Sequence, residues 1–207
     1  MQSLRLRSVA SVSALLLLCF SPGADAQTST LVPGLSRIAG TDPASGIAYA
    51  RLLLEGKLLS SAEEQPKPRP TLTAQCTQQP NGKLFFELFA NYGGVEDTAF
   101  HRPWQPSDGG VFAPTTVKVK ITMEFLGYTH VKPVTRQWEK LDAPAGQFRY
   151  NPPSGASSNM EDSTFYLQYL KALPTLRLTY AGKSAEFLTT PLLDQVRKEP
   201  LCKASHL

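Results

Sequence analysis

A pair of cysteines far apart in the sequence, Cys76 and Cys202, constrains the fold of this chain more than any other feature. The third cysteine, Cys19, lies in a segment that has the features of a cleavable signal peptide. Two cysteines that remain after export to an oxidising compartment are expected to bond to each other. We therefore predict a disulfide that ties the end of the chain to the strand that contains Cys76.

The first 26 residues have the order of a secretory signal peptide. Two arginines precede the apolar run 9–20, and Ala24-Asp25-Ala26 forms a small-residue cleavage site. We predict cleavage after Ala26 and a protein that is secreted or periplasmic. The alternative is a lipid anchor on Cys19, which would need a small residue where Leu18 stands.

Charge and hydropathy exclude several function classes. The 207-residue chain has a net charge of +4, and the loss of residues 1–26 lowers it by one. The remaining cations are scattered among acidic residues, which argues against binding to nucleic acid or to an anionic membrane. No second apolar run is long enough to span a membrane. We expect one domain over residues 43–207.

The first part of the mature chain is predicted to be a flexible lead-in followed by a helix. Residues 27–42 are polar and lack periodicity, so little order is expected there. Asp42 is a suitable N-cap and Pro43 suits the first helical position, so a helix is predicted over residues 43–61. Its apolar stripe consists of Ile47, Ala50, Leu54 and Leu58.

Strand signals follow a proline-rich connector at residues 65–70. Alternating residues around Cys76, the turn Pro80-Asn81-Gly82 and the apolar run 83–91 predict a hairpin. The run 117–125 alternates strictly, which predicts a strand with one buried face. Its apolar face consists of Val117, Val119, Ile121, Met123 and Phe125. Residues 131–141 are the predicted partner, and Pro133 favours an edge position or a bulge.

The last third is predicted to contain two helices and a second hairpin. A helix over Phe165–Leu173 is followed by strands at residues 176–180 and 183–188, and a closing helix covers Leu192–Lys198. The predicted fold class is therefore α+β: an antiparallel β-sheet or sandwich with an N-terminal helix, one inserted helix and a short C-terminal helix.

Catalytic and metal-binding motifs are not recognisable in this sequence. His101, His130 and His206 have no partners at metal-ligand spacing, so no metal or cofactor is predicted. Adjacent carboxylates such as Glu161 and Asp162 point apart, whereas glycosidase chemistry needs two that face one bond. No catalytic residue is proposed.

The segment 100–106 is the predicted binding feature. It places Phe100, His101, Arg102 and Trp104 between prolines in a glycine-rich loop. Tryptophan and arginine are common in binding hot spots, so Trp104 and Arg102 are the candidate anchors. The alternative is that Trp104 folds back and covers the end of the sheet.

The order of several elements resembles small exported proteins associated with type VI secretion. The resemblance rests on Leu72…Cys76, Leu84-Phe85-Phe86-Glu87, Phe165-Tyr166-Leu167…Leu170, Leu176-Arg177-Leu178, Glu186-Phe187 and Leu192-Leu193…Cys202. It covers about half of the mature chain and lacks the tryptophan- and serine-rich opening strands of that family. It implies a non-enzymatic envelope accessory protein and identifies no functional residue.

The sequence therefore predicts a secreted, non-catalytic binding or structural domain of unknown ligand. Its expected partner is an envelope or extracellular protein. The alternative is a secreted hydrolase whose active site is assembled from residues that are distant in sequence. A concave pocket with convergent titratable groups would favour the hydrolase, and an apolar patch near Trp104 would favour the binding domain.

Overall fold

The structure of the protein is a computed structural model that describes residues 26–59, 69–93, 100–102, 117–127, 132–141, 147–150 and 174–202. Antiparallel β-structure accounts for 63% of the interpretable residues. The strands are β1 (Gln27–Val32), β2 (Leu35–Thr41), β3 (Ala48–Glu55), β4 (Lys57–Leu59), β5 (Thr71–Gln78), β6 (Leu84–Asn91), β7 (Val117–Leu126), β8 (Val134–Lys140), β9 (Gln147–Tyr150), β10 (Thr175–Tyr180) and β11 (Lys183–Leu188). The helix in these ranges, α1, is Thr190–Lys198.

All of these strands belong to one sheet, in the order β1-β2-β3-β5-β6-β9-β8-β7-β10-β11-β4. Every pairing between neighbours is antiparallel. The sheet is not flat but curls into a half-barrel. It therefore has a concave face, which carries the main core, and a convex face on its other side.

Strands β3 and β4 are one stretch of chain interrupted at Gly56. The first part pairs with β2 and β5, and the second part pairs with β11 near the other end of the strand order. Gly56 is the point of closest approach, because a Cβ atom built there would lie 2.5 Å from the Phe187 ring and 2.6 Å from the Glu186 carbonyl oxygen. A residue without a side chain lets β3 continue into β4 beside β11.

The predicted helix over residues 43–61 is wrong. The described part of this segment contains β3 and β4, and buried residues lie on both sides of the sheet: Leu52 and Leu54 in the concave core, and Tyr49 and Arg51 on the convex face. A strand buried on both faces has a nearly continuous apolar run, which periodicity alone does not separate from a buried helix.

Other parts of the predicted α+β fold also need correction. Residues 27–42, expected to be a flexible lead-in, form the hairpin of β1 and β2, which extends the sheet beyond β3. One curled sheet replaces the sandwich alternative. The inserted helix predicted over Phe165–Leu173 lies outside the described residues. The closing helix is confirmed as α1, which begins two residues earlier than predicted.

Both hairpins predicted from turn chemistry are confirmed. Strands β5 and β6 pair across the turn that contains Gly82, and β10 and β11 pair across Ala181-Gly182. Positive φ angles at Ala181 (46°) and Gly182 (77°) identify a tight two-residue turn whose twist matches that of the flanking strands. This turn fixes Tyr180 directly opposite Lys183.

Strand β7 pairs with β8 as the alternating pattern predicts. Ile121, Met123 and Phe125 are buried on the concave face, and Lys118 and Lys120 are exposed. The predicted face is wrong at its start, because Val117 is 58% exposed and Val119 is only partly buried.

Strand β8 is not at an edge of the sheet, because it lies between β9 and β7. Pro133 is compatible with this position because it precedes the first residue of β8, where no ladder hydrogen bond is needed from it. Trp138, on the concave side of β8, is fully buried.

Helix α1 and the disulfide hold the end of the chain on the sheet. Leu192, Leu193 and Val196 of α1 are buried in the core cluster. Cys76 of β5 and Cys202 are bonded, with Cα atoms 5.4 Å apart, in agreement with the prediction. The segment after α1 is further held by Glu199, whose carboxylate accepts a 2.7 Å hydrogen bond from Nε of Arg37.

Candidate functional site

Residues 100–102 of the predicted binding segment lie against the convex face. The Phe100 ring stacks on Tyr49 with centroids 4.5 Å apart, and the His101 ring stacks on Phe89 at 4.6 Å. Arg102 is 68% exposed and lies 3.9 Å from the Asp42 carboxylate. Trp104 lies outside the described residues. A binding role for this segment stays a prediction, and two of its residues are half-buried in packing contacts.

Hydrogen bonds fix His101 on that face. The Gln75 amide donates to the His101 carbonyl oxygen at 2.5 Å, and Nε2 of Gln147 lies 2.7 Å from Nε2 of the imidazole. This contact ties the imidazole to Gln147 of β9. His101 therefore positions its segment by contacts to β5, β6 and β9.

A buried ionic cluster lies on the same convex face. Arg149 donates to Oε2 of Glu139 from Nε at 3.2 Å and from Nη2 at 2.5 Å, and its Nη1 lies 3.6 Å from Oε1 of Glu87. One arginine thus contacts both carboxylates and links β6, β8 and β9. Carboxylates held in this way are tolerated in the buried part of the sheet, because they are paired and hydrogen-bonded.

A cavity of about 230 Å³ opens at the opposite, concave side of the sheet. It lies at one end of the sheet, where β6, β8 and β10 end and where β9 and β11 begin. The residues that line it are Tyr92, Gly93, Lys140, Phe148, Tyr180, Ala181 and Lys183. We call this cavity the aromatic pocket.

Three aromatic rings form the walls of the aromatic pocket. Tyr92 and Phe148 meet edge to face with centroids 5.6 Å apart, and Phe148 and Tyr180 are tilted with centroids 4.7 Å apart. Strands β8 and β7 separate β9 from β10 in the sheet, which corresponds to about 14 Å along a flat sheet at the usual strand spacing. The rings of Phe148 and Tyr180 touch because the sheet curls, so the curvature creates the pocket.

Two lysines bring positive charge to the aromatic pocket. Lys140 is half-buried and lies in register with Phe148 on one side and Val117 on the other. Lys183 is exposed at the start of β11. The pocket-lining residues that the structure describes include no carboxylate.

Tyr92 lines the aromatic pocket with its ring, and its hydroxyl is buried. The residue is nine-tenths buried, and its hydroxyl has no hydrogen-bond partner in the described part of the chain. Burial raises the pKa of Tyr92 well above its ordinary value, because the charged phenolate is poorly solvated there. The group is therefore a neutral phenol at physiological pH and can donate a hydrogen bond.

Sequence reasoning missed the aromatic pocket. Its residues come from the ends of several strands that are far apart in the sequence, and none of them belongs to a motif. The tight turn before Lys183 was a usable signal for the local position of Tyr180 and Lys183. Nothing in the sequence indicated that Phe148 and Lys140 would join them.

Comparison with known proteins finds no matching family model, no similar curated protein and no similar solved structure. The resemblance to exported proteins associated with type VI secretion therefore stays a prediction. Within the described ranges, no helix is long and apolar enough to cross a membrane. The same part of the chain contains no group of three or more His, Cys, Asp or Glu residues placed to hold a metal ion.

Proposed function

We propose that the protein is an exported, non-catalytic binding domain and that its binding site is the aromatic pocket. The observation that supports this most directly is the concave cavity walled by Tyr92, Phe148 and Tyr180, with only a few polar groups around it. Binding sites for small molecules are typically concave and mostly apolar, with a few placed polar groups.

The size of the aromatic pocket limits its ligand. A volume of about 230 Å³ is below the range of pockets that hold drug-sized ligands, about 300–1,000 Å³. It exceeds the roughly 150 Å³ that is sufficient for one benzene ring in an apolar cavity. The proposed ligand is therefore a small molecule with a single flat ring, which would lie beside Phe148 and Tyr180.

Export is supported by two independent features. The first 26 residues have signal-peptide order, and the bonded Cys76–Cys202 pair is compatible with an extracytoplasmic protein. The alternative of a secreted hydrolase has no comparable support. The buried carboxylates Glu87 and Glu139 lie on the convex face with Arg149, away from the aromatic pocket.

Titration of the mature protein with phenylacetamide, a neutral single-ring probe, tests this function. A ligand of this size is expected to bind with a Kd of about 1–10 mM, which is measurable from NMR amide shifts. The shifts should saturate and should centre on Gly93, Ala181 and Lys183. Tyr180→Ala removes one wall and should weaken binding about fivefold or more, since stacking on one ring is typically worth about 1 kcal/mol.

Tyr49→Ala is the matched control, because Tyr49 stacks on Phe100 at the convex face. Circular dichroism measures the fraction of this variant that is folded. The affinity of that folded fraction for phenylacetamide should be unchanged. Shifts that do not saturate, or a Tyr49→Ala variant that loses affinity as much as Tyr180→Ala does, would show that the aromatic pocket is not the binding site.

A further inference from the structure

The two lysines of the aromatic pocket differ from three arginines of the sheet. Arg37, Arg149 and Arg177 each form ion pairs with carboxylates, at 2.7, 2.5 and 2.6 Å respectively. Neither Lys140 nor Lys183 has an ion-pair or hydrogen-bond partner in the part of the chain that the structure describes.

The surroundings of Lys140 show why the lack of an ion-pair partner matters. Its neighbours in register on the concave face are Phe148 and Val117, both apolar, and its side chain is half-buried beside them. The ammonium at the end of this side chain gains a charge-assisted hydrogen bond when an anion binds beside it. Lys183 lines the same cavity and adds a second positive charge.

We infer that the aromatic pocket binds an anion of one chemical class, a carboxylate carried on a single aromatic ring. The ring lies beside Phe148 and Tyr180, and the carboxylate lies between Lys140 and Lys183. This inference rests on the proposed function and adds the charge of the ligand to it.

Phenylacetate and phenylacetamide differ in charge but little in shape, so comparing them tests the inference. A hydrogen bond to a charged group contributes about 1.5–3 kcal/mol, which predicts that phenylacetate binds at least about tenfold more tightly. Its affinity should also fall as the salt concentration rises, because ions screen the lysine charges, whereas that of phenylacetamide should not.

Lys140→Met and Lys183→Met retain the apolar stem and remove the charge. Each should weaken phenylacetate binding about tenfold and leave phenylacetamide binding unchanged. Lys183 is exposed, so its variant should fold even if the half-buried Lys140→Met variant does not. Lys120→Met is the matched control, because Lys120 is exposed on the convex side of β7 and should not affect either probe.

The possible outcomes separate this inference from the proposed function. If phenylacetamide binds as tightly as phenylacetate, or if Lys183→Met affects neither probe, the anion inference is wrong and the pocket remains a binding site for a neutral ring. If neither probe binds to the folded protein, the proposed function is wrong and the inference is wrong with it.

Discussion

Substitution of Gly56 by alanine tests the closure of the curled sheet. A Cβ atom at this position would lie 2.5 Å from two carbons of the Phe187 ring and 2.6 Å from the Glu186 carbonyl oxygen. Atoms do not approach so closely without displacement, and the carbonyl belongs to the backbone of β11, which is held by β10. The substitution must therefore separate β4 from β11 or shift the Phe187 side chain.

The magnitude follows from the cost of overpacking a filled core. Insertion of one methyl group into a well-packed site typically costs about 1–3 kcal/mol, and the backbone contact places Gly56→Ala at the upper end, about 2–3 kcal/mol. For a domain of this length that loss lowers Tm by roughly 4–12 °C. A helix over residues 43–61 would give the opposite sign, since alanine stabilises a helix interior by about 1 kcal/mol relative to glycine.

Urea unfolding followed by circular dichroism measures the change in the free energy of unfolding. Adding Phe187→Leu to Gly56→Ala should recover part of the loss, because it relieves the ring contact and leaves the carbonyl contact. Gly82→Ala is the control, since its Cβ would meet nothing within 4 Å, and its cost of about 1 kcal/mol would come from its φ of +81° alone. A Gly56→Ala variant that is more stable than the original protein would refute the close approach of Gly56 to β11.

Two further predictions concern the disulfide and β7. Removal of the Cys76–Cys202 bond, whose cysteines are separated by 126 positions in the sequence, should cost up to about 5 kcal/mol of stability in the loop-entropy model. Thiol counting on the denatured mature protein should find no free thiol, and two free thiols would contradict the bond. In denaturant melts, Ile121→Ala should lower the free energy of unfolding by about 2–4 kcal/mol, whereas Lys120→Ala should lower it by less than about 0.5 kcal/mol. Equal losses would contradict the observed faces of β7.

The position of His101 changes how the predicted binding loop is understood. Its ring and backbone contacts to Phe89, Gln75 and Gln147 hold this part of the segment on the sheet. Arg102, with most of its side chain exposed, is the described residue of the segment that is most accessible to a partner. The anchoring role and the binding role are compatible, since a fixed base orients the residues beside it.

The sequence by itself determined the features that depend on residues close together in the chain or on the number of cysteines. Turn chemistry at Gly82 and Gly182 specified two hairpins, and strict alternation specified β7. The disulfide between Cys76 and Cys202 was predicted because the third cysteine, Cys19, lies in the predicted signal peptide. The hairpin predictions succeeded because hairpin pairing joins strands that are adjacent in the chain, so the information lies within a few residues.

Tertiary structure alone decided that residues 48–55 form a strand and not a helix, and that the aromatic pocket exists. A segment such as residues 48–55 has apolar residues on both faces, and only pairing with β2 and β5 makes it a strand instead of a helix. The pocket depends on the curl of the sheet, which brings Phe148 and Tyr180 together across two intervening strands. Curvature is a collective property of many strand pairings, so no local pattern of residues specifies which side chains will meet.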